Sequence, residues 1–335
     1  MNKTLDRRRG CLYGLAIGDA LGAAVEFRDP GTFPLVTCYR DGGPHSLAKG
    51  QWTDDTSMAL ALAHSMGKKW DLADQLTEYL DWFQNGKYSV NGFCFDIGCT
   101  TRDALMNFER MRDPETCADS SPHASGNGSI MRLAPVPVGM FWTYEQGQWE
   151  ILEGMAMNSS RTTHASEQCK SACRYMALVL AGLMNGEERD VVLSPDWEVY
   201  QKMKAVRPLD PMVEKVAEGS YRNKMPCQIK GSGWVVASLE AALWAFHDAA
   251  NFEEAVLRAV NLGDDADSTG AVCGQFAGAY WGESGIPYKL VDGLARKDMI
   301  EAALDAINAT KDYIDIVVPP DHLINEDGTY IGEMI

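Results

Sequence analysis

Two segments with regularly spaced glycines place the strongest restriction on how this chain of 335 residues folds. Glycine recurs at every fourth position in LYGLAIGDALGAAVEF (Gly14, Gly18, Gly22) and in TGAVCGQFAGAYWG (Gly270, Gly274, Gly278). Residues four apart share one helix face, and each glycine costs a helix about 1 kcal/mol relative to alanine. We therefore predict two helices whose glycine faces admit a very close partner backbone. Loose glycine-rich loops are the alternative.

The rest of the chain is also mainly helical in pattern. Apolar residues recur with helical spacing in segments 56–66, 73–84, 101–111, 168–185, 234–249, 252–260 and 296–312. The best strand pattern is IDIVVPP at 314–320. No linker-like or low-complexity stretch divides the chain, so we predict a single domain over residues 1–335 with a short irregular C-terminal extension at 313–335.

Charge and cysteine usage exclude several classes of protein. The formal net charge is −17, which argues against general nucleic-acid binding because no wide basic face is available to phosphates. The nine cysteines form no CxxC pair and are expected to be reduced thiols. Arg7, Arg8 and Arg9 precede CLYGLAIG as in a signal peptide, but the apolar run is short and Asp19 interrupts it. No run approaches the roughly 18 apolar residues of a membrane helix. We expect a cytoplasmic protein without a membrane partner, and the oligomeric state stays open.

Two clusters combine carboxylates with hydroxyls. The first is Thr53, Asp54 and Asp55, and the second is Asp264, Asp265, Asp267, Ser268 and Thr269. Adjacent carboxylates repel each other, most strongly where they are partly buried. Helix N-termini offer one compensation and explain one acid and one hydroxyl in each cluster.

Divalent cations are the second compensation, and they also explain the crowding in DDADST. Carboxylate and hydroxyl oxygens suit Mg²⁺ or Mn²⁺. The absence of Cys and His from both clusters disfavours zinc, and the spacing is not that of a calcium-binding EF-hand loop. If both clusters bind metal, we expect them to meet as one binuclear site.

Four motifs occur in a fixed order: GLAIGDALGAAVEF, WTDDTSMALALA, GNGSIMRLAPVPV and NLGDDADSTGA. Together they resemble the ADP-ribosylglycohydrolase family over about residues 10–310. The resemblance implies an all-α fold, a compact orthogonal helical bundle, with two Mg²⁺ or Mn²⁺ ions. It also implies hydrolysis of the glycosidic bond between ADP-ribose and an acceptor, most often an arginine side chain on a protein.

The resemblance carries roles to individual positions. Thr53, Asp54, Asp55, Asp265, Asp267 and Ser268 match the family's metal ligands. Asp264 is left out because the family often has glycine there. Glu26, at the end of the first glycine helix, matches a glutamate on a mobile segment near the metals. Asp96 matches an aspartate near the scissile bond. Glu26, Asp55 and Asp96 are therefore the expected catalytic residues.

The substrate-binding residues implied by the resemblance are Gly126, Asn127, Gly128 and Ser129, with His164 at the border of the cleft. The two glycines let backbone N–H groups approach phosphates, and we expect a following helix to add its dipole. A plain turn is the alternative for GNG, and a structural histidine is the alternative for His164. Arg161 is an equal candidate for the positive charge that faces a phosphate.

Two other functions remain open from the sequence. One is a catalytically silent relative that binds ADP-ribose or has a structural role. The other is an all-helical isoprenoid synthase, but TDDTS lacks the further acid of a DDxxD motif. For the main hypothesis, the partner is an ADP-ribosylated protein or small molecule. Serine, nucleobase and small-molecule acceptors stay open beside arginine.

Overall fold

The computed structural model describes residues 2–309, which fold almost entirely into helices. The prediction of an all-α fold is confirmed, and the described residues contain isolated β-bridges but no sheet. The α-helices are α1 (Lys3–Gly22), α2 (Asp54–Met66), α3 (Leu72–Asn85), α4 (Cys99–Met111), α5 (Pro135–Gly139), α6 (Phe141–Glu145), α7 (Trp149–Arg161), α8 (Glu167–Asn185), α9 (Arg189–Val192), α10 (Glu198–Val206), α11 (Pro211–Ala217), α12 (Val235–Phe246), α13 (Phe252–Val260), α14 (Ala266–Trp281), α15 (Tyr288–Gly293) and α16 (Lys297–Ala309). Two 3-10 helices cover Pro226–Gln228 and Glu283–Gly285. The predicted strand at 314–320 and the extension at 313–335 lie outside the described residues.

The two glycine-spaced segments form α1 and α14, and their glycine faces pack directly on each other. A Cβ atom added to Gly14 would lie 2.0 Å from the carbonyl oxygen of Gly274, and one added to Gly274 would lie 1.9 Å from that of Gly14. A Cβ atom added to Gly18 would lie 2.0 Å from the carbonyl oxygen of Gly270. Because no side chain fits at these points, the close approach predicted from the glycine spacing is confirmed.

Helix α1 begins and ends earlier in the sequence than the glycine-rich segment at 12–27. It begins at Lys3, where the Asn2 side chain accepts a hydrogen bond of 3.0 Å from the Thr4 amide. It ends at Gly22, and Phe27 has a left-handed φ of 59° that no α-helix accommodates. Glu26 therefore lies in a turn beyond the helix, and the prediction that it closes the helix is wrong.

Most of the buried apolar side chains form one large cluster that reaches from Cys11 to Ile307, and Ile229, Ala241 and Leu262 form a small second one. Helix α8 lies at its centre, buried at nearly every position between Cys169 and Met184. Helices α5, α6, α9, α11 and α15 were not predicted, because segments of four to seven residues are too short to display a helical period. No helix among residues 2–309 has the length and hydropathy needed to cross a bilayer.

Candidate metal centre and active site

The two acidic clusters occupy the N-termini of α2 and α14, and the helix packing brings them together. Thr53 Oγ1 lies 3.0 Å from Asp55 Oδ2 and 3.1 Å from Asp267 Oδ2. Ser268 Oγ lies 3.3 Å from Asp55 Oδ2. The close contact between α1 and α14 fixes the second cluster, and α2 packs on both helices. Residues more than 200 positions apart in sequence thus share one buried site.

Helix capping does not account for these clusters. Thr53 and Asp265 are the N-cap residues of α2 and α14, but neither side chain accepts a hydrogen bond from a backbone amide of its own helix. The N-terminus of α2 is capped instead by Asp19 of α1. Asp19 Oδ1 accepts from the Thr53 amide at 2.8 Å and Oδ2 accepts from the Thr56 amide at 3.0 Å.

Asp19 is a site residue that the sequence analysis missed. Its signal was visible, because it is the one acid within the apolar glycine-spaced stretch of α1. Its two oxygens also accept from the hydroxyls of Thr53 and Thr56. Burial raises the pKa of Asp19 to about 6, and these hydrogen bonds oppose the shift. Each carboxylate oxygen of Asp19 therefore accepts two hydrogen bonds, and these bonds hold α2 against α1.

Asp55 and Asp267 differ from Asp19 because each keeps a free oxygen. Both residues are buried, and their Oδ1 atoms have no hydrogen-bond partner among the described residues. Burial and then neighbouring carboxylates raise the pKa of both groups well above the usual range. No Lys or Arg of the described chain forms an ion pair with these acids, and Lys49 pairs with Asp41 instead. Buried oxygens without a donor or a counter-ion are the donor set that a hard cation requires.

The remaining ligand candidates complete the same cluster. Asp54 is buried, and burial followed by Asp96 and Asp55 raises its pKa well above the usual range. Asp265 is half-buried and its Oδ2 accepts a hydrogen bond of 2.7 Å from Asn127 Nδ2. Asp264 is exposed and has a left-handed φ of 58°, consistent with leaving it out of the ligand set.

A second group of side chains joins Glu26 and Asp96 through His45. His45 Nε2 lies 3.3 Å from Glu26 Oε2 and 3.1 Å from Asp96 Oδ1. Burial, then the negative charge of Asp96, raises the pKa of Glu26 to about 10, and burial followed by Asp265 raises that of Asp96 to about 7. Burial lowers the pKa of His45, so its ring is neutral at pH 7. No sequence pattern pointed to His45, which lies in the long loop between α1 and α2.

The predicted phosphate loop lies against the second acidic cluster. The Asn127 amide donates to the Gly233 carbonyl at 2.9 Å, and the Val235 amide donates to the Ser125 carbonyl at 3.0 Å. Asn127 also reaches Asp265, so the loop and the acidic cluster are joined by one side chain. Ser129 is buried, and its side chain lies beside the thiols of Cys169 and Cys173. The glycine-rich turn GSGW at 231–234, with its exposed Trp234, was missed although it precedes α12 directly.

The expectation of a helix dipole directly behind this loop is wrong. The residues after Ser129 form turns, and α5 begins only at Pro135 and has five residues. The loop instead packs on His164, whose Cε1 would lie 2.6 Å from a Cβ atom on Gly128. His164 is buried, its Nδ1 lies 2.8 Å from Thr163 Oγ1, and burial lowers its pKa to about 3. It is therefore neutral and supports the glycine loop from behind.

The two nearby arginines are held by protein groups. Arg161 pairs with Glu115 and also donates to Asn158. Arg132, at the end of GNGSIMR, is fully buried and donates to the Thr163 hydroxyl at 2.8 Å. Its guanidinium also lies 4.6 Å from the centre of the Tyr79 ring. These contacts assign Arg132 to the interior of the fold.

The structure thus has an all-helical architecture in which helix N-termini gather acids around a buried centre that could hold a metal ion. The family model of ADP-ribosylglycohydrolase matches residues 1–314, and the chain belongs to this family of glycohydrolases. The family identified from the four sequence motifs is confirmed.

Individual relatives agree with this placement. The chain is 41% identical to ADP-ribosylarginine hydrolase Tri1 of Pseudomonas putida (strain GB-1), over 89% of this chain and 77% of the relative. It is 30% identical to ADP-ribosyl-[dinitrogen reductase] glycohydrolase of Rhodospirillum rubrum, over 84% of this chain and 88% of that protein. A solved structure described as an ADP-ribosylglycohydrolase-related protein complex superposes with a TM-score of 0.79 and 36% identity, covering 92% of this chain and 99% of the other.

Proposed function

We propose that this protein hydrolyses the bond between ADP-ribose and an arginine side chain of a modified protein, with two divalent cations, Mg²⁺ or Mn²⁺. The observation that carries the proposal is the pair of unpartnered buried oxygens, Asp55 Oδ1 and Asp267 Oδ1, in a cluster without a basic side chain. The arginine acceptor is supported by relatives at 41% and 36% identity that are named ADP-ribosylarginine hydrolases.

The proposed ligands are Thr53, Asp54, Asp55, Asp265, Asp267 and Ser268. When bound, the cations supply positive charge that orients the ribose oxygens and activates water. Asp19 contributes by fixing the Thr53 backbone and the first turn of α2. It is a positioning residue in this proposal, because its oxygens are occupied by hydrogen bonds.

The loop from Gly126 to Ser129 is the proposed binding site for ADP-ribose. Its glycines permit close approach of the diphosphate to backbone N–H groups. Asn127 fixes the loop beside Asp265. A substrate bound there is held next to the metal ligands.

Glu26 and Asp96 are the proposed proton carriers. In the net reaction the C–N bond to the anomeric carbon breaks, water adds its hydroxyl to that carbon, and its other hydrogen goes to the leaving nitrogen. Asp96, whose pKa in the metal-free protein is raised to about 7, is the proposed group that accepts a proton from water and returns it. Glu26, with a pKa of about 10, holds its proton in the absence of metal. Carboxylates near the ribose also stabilise the positive charge that develops on the ring.

We further propose that the chain works as a single domain in the cytoplasm, a compartment that suits its nine free cysteines. Protein-linked ADP-ribose is the proposed physiological substrate, and a small ADP-ribosylated molecule is an alternative one.

The test is release of free ADP-ribose from an arginine-ADP-ribosylated protein with Mg²⁺, with Mn²⁺ and with EDTA. We expect release with a metal and none with EDTA. Asp267→Asn should abolish release, whereas Asp264→Asn is the matched control, since it changes an exposed acid three positions away. If the intact protein binds ADP-ribose but never releases it from a conjugate, it is a silent binder and the proposal is wrong.

A further inference from the structure

Three phenylalanines belong to the segments around Glu26, His45 and Asp96: Phe93 and Phe95 form a row of rings beside His45, and Phe27 directly follows Glu26 in the chain. We call Phe27, Phe93 and Phe95 the aromatic rim. The Phe95 ring lies 5.2 Å from the His45 ring, and the Phe93 ring lies 6.0 Å from that of Phe95. Phe93 is 59% exposed and Phe27 is 65% exposed. A row of aromatic rings therefore leads from solvent to the side chain that contacts both proposed proton carriers.

Hydrogen bonds hold the backbone of Phe27 in an unfavourable left-handed conformation. A bulky residue with a left-handed φ is uncommon and unfavourable. Its amide donates to the Asp264 carbonyl at 2.7 Å, and the Asp264 amide donates to the Arg28 carbonyl at 2.8 Å. These bonds tie the turn that carries Glu26 and Phe27 to the segment just before the ligands on α14.

The contacts of His45 indicate what kind of group this mouth accepts. His45 is a planar ring whose Nε2 lies between the carboxyl groups of Glu26 and Asp96, with the Phe95 ring beside it. A guanidinium has the same requirements, since it is planar, donates to carboxylates and stacks on aromatic faces. An alkylammonium group gains less from a stacked ring, because its charge is compact and strongly hydrated.

We propose that the aromatic rim, with Glu26 and Asp96 behind it, is the subsite for the acceptor and binds the guanidinium of the modified arginine. This inference rests on the proposed function, because it concerns the leaving side of the same scissile bond. The phosphate loop at Gly126–Ser129 holds the ADP-ribose side, so the two parts of the substrate contact different residues. The rim makes the enzyme selective for arginine over acceptors that lack a planar cation.

The experiment compares Phe93→Leu, Phe93→Tyr and the wild type on a small ADP-ribosyl-arginine conjugate. Loss of a cation–π contact at an exposed site predicts a fall in kcat/KM of about two- to fivefold for Phe93→Leu. Phe93→Tyr should retain the wild-type value, since the ring is kept. The Kd for ADP-ribose, which has no acceptor, should stay unchanged in both. Val206→Ala, which trims a side chain 66% exposed at the end of α10, is the control for general loss of apolar surface.

A second measurement uses agmatine, a free guanidinium compound, and an alkyl diamine of similar length as competing ligands. We expect agmatine to inhibit the wild type more strongly than the diamine, and Phe93→Leu to remove that difference. Equal losses of ADP-ribose and conjugate binding would assign the rim to the nucleotide side and overturn the inference. Unchanged kinetics, or a change in oligomeric state with unchanged kinetics, would overturn it as well. Failure of the wild type to cleave the conjugate would instead refute the proposed function.

Discussion

The hydroxyl of Thr53 lies 3.1 Å from Asp267 Oδ2, across 214 positions of sequence. The same oxygen lies 3.0 Å from carboxylate oxygens of Asp19 and Asp55. One hydroxyl has one proton to donate, so it satisfies one of these three carboxylates at a time. Asp19 has further donors in two backbone amides and the Thr56 hydroxyl, so Asp55 and Asp267 are left to need protons or a cation, and this requirement is the basis of the first prediction.

Asp267→Asn is expected to abolish activity and to make the metal-free protein more stable. The substitution removes a ligand, and we expect metal affinity to fall at least about 100-fold and turnover to disappear. It also removes a carboxyl group whose charged form is disfavoured in the folded protein, where burial and other acids raise the pKa of Asp267. The metal-free variant should therefore be more stable than metal-free wild type, by about 1–2 kcal/mol. Calorimetric metal titration and thermal unfolding in EDTA measure the two effects, and a less stable metal-free variant would contradict the repulsion argument.

The metal-free protein should lose stability as pH rises from about 4 to about 7. The folded-state pKa is raised to about 6 for Asp19 and about 7 for Asp96, above the ordinary value of 3.8 for both. An acid with a raised folded pKa favours folding fully below its unfolded pKa, and that contribution is lost as pH rises through the folded pKa. In EDTA, the melting temperature should thus decline between pH 4 and pH 7. Saturating Mg²⁺ or Mn²⁺ should flatten the decline, and parallel curves with and without metal would show that these acids are not coupled to a cation.

The sequence predicted those features of the site that depend on local spacing. The four-residue glycine spacing predicted a close helix pair. The crowded carboxylates in TDDTS and DDADST predicted a helix N-terminus or a cation that offsets their repulsion. It did not predict His45, because a histidine in a long loop has no periodic signal. It did not predict that Asp19 caps α2 from another helix, because only the tertiary packing of α1 on α2 establishes that contact. The α7 helix was also missed, although it has 13 residues.

Gly128 and His164 should be energetically coupled. A Cβ atom on Gly128 would lie 2.6 Å from His164 Cε1 and 2.9 Å from Nε2. Gly128→Ala alone should displace the ring or the loop, costing about 1–3 kcal/mol of stability and weakening ADP-ribose binding. In Gly128→Ala/His164→Ala the clash is absent, so the double variant should be more stable than the sum of single effects by roughly 1 kcal/mol or more. Unfolding free energies of the four proteins measure this coupling, and additive effects would show that His164 does not support the loop.

The contact between α1 and α14 should be intolerant of even one methyl group. A Cβ atom on Gly274 would lie 1.9 Å from the Gly14 carbonyl oxygen, and backbone cannot move aside as a side chain does. We expect Gly274→Ala to cost about 3 kcal/mol or more and to weaken metal binding, because Asp19 and Asp267 lie on the two helices that are forced apart. Gly154→Ala is the matched control, since this helical glycine in α7 has no atom within 4 Å of its Cβ position. Its replacement should stabilise the protein by about 0.5–1 kcal/mol through helix propensity alone. Chemical denaturation and metal titration of both variants separate the effects, and a stable Gly274→Ala variant with intact metal affinity would contradict the proposed role of the glycine faces in positioning the site.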